Sequence, residues 1–203
     1  MLEIHTKPGK SAREKILSSA ICLFSQKGYD GVAVREIVHL AGVTKPVLYY
    51  YFKNKEGLYL TLLEEVLNKY RGVLETASDA EGTTVDQLVR LIELQLDFCH
   101  ENQTLIRLCY GALCNPPSDL PPYDFDRFSQ ANFAALKEIV NRGVERGELN
   151  GKHTEGLAVA LLAIVNIYAM DQVYGQGKIS KETAKRSVEI LYHGIKQVDE
   201  ETG

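Results

Sequence analysis

The sequence predicts an all-α fold of about nine helices: an N-terminal three-helix head and a C-terminal helical bundle that dimerises. Three observations carry this. Apolar residues recur at spacings of three and four through most of the 203 residues, the period of one helix face. Glycines and prolines interrupt those stripes at helix-length intervals. The stretch from Phe24 to Phe52 reads as a helix end, a short helix, a Gly-centred turn and a second short helix closing in a tyrosine cluster, which is a helix-turn-helix.

The head divides helix by helix. From Ser11, the residues Ile16, Ala20, Leu23 and Phe24 fall on one face, and Gly28 closes the helix. Val34, Ile37, Val38 and Ala41 form a second, shorter stripe that Gly42 ends by supplying a left-handed backbone. Val32 and Ala33 precede it without a side-chain acceptor, so Asp30 or Gly31 is expected to cap it. Thr44 is placed to cap the third helix. There Leu48, Tyr51 and Phe52 share the inner face, while Lys45 and Tyr49 share the outer one. Pro46 fits only a first helical turn and disfavours helical geometry at the residue before it, which puts Lys45 at the helix edge. Asn54 then caps a long fourth helix carrying Leu58, Leu62, Val66 and Tyr70, with Lys55 in its first turn. This helix is expected to join head to body. The domain division is 1–56, with the helix-turn-helix at about 33–52, and 57–203.

The body reads as helices without strands. Val85, Leu88, Val89, Ile92, Leu96 and Cys99 make one stripe, but Leu91, Leu94 and Phe98 lie off it. A helix apolar around so much of its girth belongs in the middle of a bundle. A helix over about 103–113 runs into Asn115-Pro116-Pro117 and Pro121-Pro122, which predict a long loop. Residues 125–146 carry Phe128, Phe133, Leu136, Ile139, Val140 and Val144 before Gly147 stops them. Residues 156–170 are almost wholly apolar, with Asn166 the one strongly polar side chain. That is shorter than the roughly 20 residues of a membrane span, so no membrane is expected. A helix apolar all round must be covered on every side, and in a small bundle a second subunit covers the outer face. With the final stripe of Ala184, Val188, Leu191, Tyr192, Ile195 and Val198, this predicts a four-helix homodimer interface drawn from Leu157, Leu161, Val165, Val188, Leu191, Tyr192 and Ile195.

Charge and cysteines narrow the class. The net charge is −4, yet residues 1–60 hold nine Lys/Arg against five acids, and the remainder is acidic by eight. A basic head on an acidic body suits attraction to phosphate in one place only. Cys22, Cys99, Cys109 and Cys114 show no metal-ligand spacing and read as reduced structural thiols, with a Cys109–Cys114 thiol switch the minor alternative. The first residues are polar and mixed in charge, without the apolar run of a signal peptide, so the protein is expected in the cytoplasm.

The third helix opens Thr44-Lys45-Pro46, offering a hydroxyl, a cation and free backbone N–H groups to a phosphate or a base edge, as helices that enter the major groove do. Phe24, Gly28, Ile37, Ala41-Gly42-Val43-Thr44, Leu48-Tyr49, Tyr51-Phe52 and Lys55-Glu56 stand together in one register. In them the segment from about 11 to 60 resembles the tetracycline-repressor (TetR) family of transcriptional regulators. The resemblance implies that Thr44, Lys45, Tyr49 and Tyr50 meet DNA and that Lys55 holds a phosphate. The chemistry of base reading adds Pro46 and Val47, which project from the first turn of the helix. Arg35 completes the candidate DNA-binding set. Two positions depart from the family pattern: Val32-Ala33, where a capping Thr or Ser is usual, and Pro46, where a small residue is.

The resemblance further implies a homodimer on a near-palindromic double-stranded DNA operator, acting as a repressor, released by a small-molecule effector in the body. Candidate pocket residues are Phe98, Cys99, Tyr110, Tyr123, Phe133, Asn166 and Tyr168, which put aromatic surface and a few polar groups on apolar helices. No enzyme, cofactor or metal is expected. Gly175-Gln176-Gly177-Lys178 lacks the spacing of a phosphate loop, and no HExxH, GxSxG or paired-carboxylate pattern occurs. The rival reading is a helical ligand- or protein-binding module whose helix-turn-helix makes protein contacts.

Overall fold

The computed structural model describes residues 11–78, 81–114, 116, 118, 123–175 and 179–201. Among them are nine α-helices and no strand: α1 (Ala12–Lys27), α2 (Val34–Ala41), α3 (Lys45–Phe52), α4 (Lys55–Ser78), α5 (Thr84–Glu101), α6 (Gln103–Cys114), α7 (Asp126–Glu145), α8 (Thr154–Tyr174) and α9 (Lys181–Glu201). The all-α expectation holds. Two compact units form, one from Met1–Glu65 with Arg107–Tyr123, the other from Val66–Ile106 with Asp124–Gly203.

In the first unit α1, α2 and α3 pack on one another. Ser11 and Glu14 close a capping box at the start of α1, in which each residue's side chain accepts the other's backbone N–H. Ile16, Leu17, Ala20 and Phe24 of α1, Ile37, Val38 and Ala41 of α2, and Leu48 and Phe52 of α3 are buried. Each of these side chains larger than alanine stabilises the unit by about 1.5–3 kcal/mol relative to exposure.

In the second unit α5 contacts α7, α8 and α9, and α8 contacts α7 and α9. The central place predicted for α5 follows from its sequence, since Leu88, Leu91, Ile92, Leu96 and Phe98 are buried on more than one face. Thr83 and Asp86 form the capping box at its start. α8 is longer than its most apolar stretch suggested. At 21 residues, with a mean hydropathy of 1.7 over its best window, it has the length and composition of a membrane-crossing helix. The length argument against a membrane therefore fails. The structural fact is instead that Leu157, Ala158, Leu161, Val165, Tyr168, Ala169 and Val173 form a buried face on α8.

The expectations for Asn115, Pro117, Pro121, Pro122 and residues 176–178 lie outside the described residues, as do the side chains of Phe128, Ile195 and Val198.

A candidate DNA-reading face on α3

Gly42 adopts φ 64°, ψ 36° and donates its N–H back to His39, which turns the chain sharply between α2 and α3. α3 begins at Lys45 with Pro46 second, so the proline sits where its missing N–H removes no helical bond. Leu48 and Phe52 are held inside the unit, and this fixes the rotation of the helix. Thr44, Lys45, Pro46, Tyr49 and Tyr50 are thereby left facing outward, with Tyr50 82% exposed. Val47 is half-buried. Arg35 is exposed on α2.

Three local expectations need correction. Thr44 has the extended backbone of a cap residue, but its hydroxyl makes no capping bond; only its carbonyl accepts, from Val47 and Leu48. Neither Asp30 nor Gly31 caps α2. Ala33 is the cap position, and Glu36 reaches back to accept the Ala33 N–H at 2.8 Å while its other oxygen meets Lys27 Nζ at 2.6 Å. These two bonds hold the Glu36 carboxyl below its ordinary range, the backbone bond more strongly. Tyr51, expected inside, is 42% exposed and stands edge-on to Tyr50, because Leu48 and Phe52 already fill the inner face of so short a helix.

The start of α4 is built as the sequence indicates. Asn54 Oδ1 accepts the Gly57 N–H at 2.7 Å, and Lys55 Nζ stands 4.0 Å from the centroid of the Tyr29 ring. Tyr29 in turn packs against Phe24 and Tyr59. Burial pushes the Tyr59 hydroxyl up to about 12, so this aromatic cluster stays neutral. Sequence reasoning missed Tyr29, although a tyrosine one residue after the helix-ending Gly28 was its signal. α3 and the start of α4 thus offer two cations and an exposed aromatic surface.

Residues 16–62 match the family model of bacterial regulatory proteins, tetR family. Over those residues the chain is a TetR-family helix-turn-helix. The chain is 40% identical over 102 residues to the probable HTH-type transcriptional regulator YttP of Bacillus subtilis, covering 49% of each protein. It is 27% identical over 128 residues to the biofilm operon icaADBC HTH-type negative transcriptional regulator IcaR of Staphylococcus aureus, covering 63% of this chain and 67% of IcaR. The match to YttP thus spans about half the length of that relative. Among solved structures, the transcriptional regulator FadR of Bacillus subtilis, in complex with stearoyl-CoA, superposes with a TM-score of 0.71 at 21% identity, covering 90% of this chain and 98% of FadR. Proteins of the TetR family are regulators and not enzymes.

The residues expected to line a pocket separate. Phe98, Cys99 and Tyr168 are buried in the second unit and Phe133 is half-buried there, whereas Tyr110 and Tyr123 are half-buried in the first unit. Tyr123 donates its hydroxyl to Glu64 at 2.6 Å. Asn166 is on the outside of α8, where its Nδ2 donates to the Leu162 carbonyl, so it lines no interior surface. Burial pushes the thiols of Cys99 and Cys109 up to about 12. A thiol so raised is a poor nucleophile at neutral pH, so burial disfavours Cys109 as the attacking partner in a Cys109–Cys114 switch.

The expected dimer residues also need correction. Leu157, Leu161, Val165, Val188 and Tyr192 are buried within one chain, and Leu191 is half-buried. The most apolar stripe is claimed first by the chain's own helices. What α8 exposes is a second stripe of Val159, Ala163, Ile167, Met170 and Tyr174, with Ile167 58% exposed, and α9 exposes Ile190.

Proposed function

We propose that this chain is a cytoplasmic DNA-binding transcriptional regulator, a repressor that grips a near-palindromic operator as a homodimer and is released by a small, largely apolar effector bound in the second unit. The observation that carries the reading is the outward face of α3. Lys45, Tyr49 and Tyr50 stand free while Leu48 and Phe52 are buried beneath them, the arrangement of a helix laid into a major groove. Thr44, Lys45 and Lys55 supply the hydroxyl and cations that bind phosphate, and Pro46, Val47 and the exposed tyrosines lie where base edges are read. Arg35, exposed on α2, adds a further phosphate contact.

Two recognition helices on one duplex must meet major grooves about 34 Å apart, which needs a second copy of the chain. The exposed stripe of α8 with Ile190 of α9 fits such a copy, since an apolar face of this length is costly to leave in water. The negative regulator IcaR favours repression, and FadR with stearoyl-CoA favours an apolar effector.

Retardation of a duplex from the chain's own upstream region tests the proposal. Affinity is expected to fall steeply between low and moderate salt as phosphate contacts are screened. A protein-contact module shows no retardation at any salt.

A further inference from the structure

Arg13 breaks a local rule. It stands in the first turn of α1, where the helix dipole disfavours a cation and Glu14 supplies the anion that suits the position. A residue kept against local preference has its reason in tertiary structure. The Arg13 guanidinium meets two other helices. Its Nη2 donates to Glu65 Oε1 of α4 at 2.8 Å, and its Cζ stands 5.7 Å from the centroid of the ring of Phe52, the last residue of α3. Both charged side chains are half-buried and Phe52 is buried, all within the first unit. The Lys27–Glu36 pair of the same unit has a local explanation, since Glu36 also closes the start of α2. Arg13 and Glu65 are 52 residues apart, with Glu65 near the middle of α4. A planar guanidinium can face a ring and hold a carboxylate at the same time, which an ammonium does less well.

Beyond Phe52 lies the outward face of α3. The Phe52 ring is tilted against Tyr51 at 6.1 Å, and Tyr51 is edge-on to Tyr50 at 5.1 Å, so a row of rings runs from Arg13 to the exposed Tyr50. α3 is eight residues long, with Leu48 and Phe52 buried one turn apart on one side. Those two anchors set its rotation, but a helix so short makes few ridge-and-groove contacts to fix its angle. What holds the Phe52 end then sets the inclination.

We infer that Arg13 is a positioning residue for DNA reading: with Glu65 as counter-ion and the Phe52 ring as its seat, it fixes the inclination of α3 against α4. The inference rests on the DNA-reading role proposed above for α3. Arg13 acts through Phe52 and touches no base or phosphate itself.

The sign of one substitution separates this from plain electrostatics. Glu65 lies about 15 Å along α4 from Lys55 at the ordinary helical rise. Removing its negative charge leaves phosphate attraction unchanged or stronger. A loss of affinity in Glu65→Gln therefore comes from geometry.

The test uses the full chain, the duplex from its own upstream region and a scrambled duplex of equal length, with melting temperatures measured alongside. Glu65→Gln and Arg13→Gln are each expected to weaken binding to the upstream duplex about threefold and to leave the scrambled duplex unchanged, the double variant losing no more than either single one. Unchanged or tighter upstream binding in Glu65→Gln, with or without a lower melting temperature, makes the contact merely structural and overturns the inference. So do additive losses in the double variant. An Arg13→Gln loss shared by both duplexes, with the salt slope reduced by about one, marks a direct phosphate contact and overturns it as well. Should Arg13→Gln fail to fold, Glu65→Gln decides alone. A parent that binds with its variants unchanged takes down this inference alone, whereas a parent that retards neither duplex takes down the DNA-reading role and the inference with it.

Discussion

The Lys55 ammonium lies 4.0 Å from the centroid of the Tyr29 ring, so the first turn of α4 is tied to the segment that follows α1. Tyr29 is itself wedged against Phe24 and Tyr59, which makes the ring a fixed platform and not a mobile side chain. A long, flexible lysine is thereby given one preferred direction at the N-terminus of a helix, where phosphate is also favoured.

Replacing Tyr29 tests that platform. Tyr29→Phe keeps the π face and is expected to behave as the parent, whereas Tyr29→Leu is expected to weaken DNA binding and flatten its salt dependence much as Lys55→Gln does. In a double-mutant cycle the two losses should couple by about 0.5–1 kcal/mol. Strict additivity would show that the ring and the cation act separately.

The α3–α4 junction stores strain at one residue and avoids a clash at another. Lys53 has φ 62° and ψ −49°, and Asn54 donates its N–H to Phe52 two residues back, a tight turn of the rarer, positive-φ form. Lys53→Gly should raise stability by about 1 kcal/mol. Gly57→Ala should lower it, because the added Cβ would run into the Phe52 carbonyl oxygen. Urea midpoints that move in the same direction for both variants would contradict this account.

Acid should loosen both units through named carboxylates. Glu36 is held below its ordinary range by the Ala33 N–H and then by Lys27, and Asp86 by the Thr83 hydroxyl and then the Thr83 N–H. A carboxyl whose folded pKa lies below its unfolded one contributes stability in full above the unfolded value, about 4, and loses it as pH falls through the folded value. Melting temperature is therefore expected to be flat near neutrality with respect to these groups and to drop below about pH 4. Glu36→Gln and Asp86→Asn should each make that drop shallower.

The two faces of α8 should respond differently to a charge. Ile167→Glu, on the exposed stripe, is expected to give a folded monomer, read as a halved mass by sedimentation with an unchanged helical spectrum. Leu161→Glu, in the buried face, is expected to unfold the chain by several kcal/mol. A dimer that survives Ile167→Glu would place the partner elsewhere.

Thiol labelling checks the burial of the cysteines. Iodoacetamide at neutral pH should modify the exposed Cys22 and Cys114 and spare Cys99 and Cys109, whose thiols are pushed up to about 12. Rapid modification of Cys109 in the native chain would overturn that assignment.

Much of the head was legible in sequence because its determinants are local. Gly42, Asn54 and the Ile37–Val38–Ala41 stripe act over a single turn of chain, and each behaves in the structure as its residue type requires. The failures have a common cause. Thr44, Tyr51 and Ala33 were judged by residue type, but which of their groups finds a partner depends on what neighbouring side chains already occupy, as Glu36 shows at the start of α2. Gln95 and Asn132 carried a signal, a polar residue inside an apolar stripe, whose meaning lay 37 residues away in the chain.

By itself, then, the sequence determined that this protein is helical, that its N-terminal region is a TetR-family helix-turn-helix, and which residues of α3 and α4 carry cations and hydroxyls. These follow from period, capping and turn chemistry, which are short-range. Only the tertiary structure decided which of two apolar stripes on α8 is core and which is surface, where Tyr51 and Asn166 point, and that Tyr70, Gln95 and Asn132 share one hydrogen-bonded centre. Those choices are made by competition among helices for the same buried volume, and the winner is set by packing across the unit.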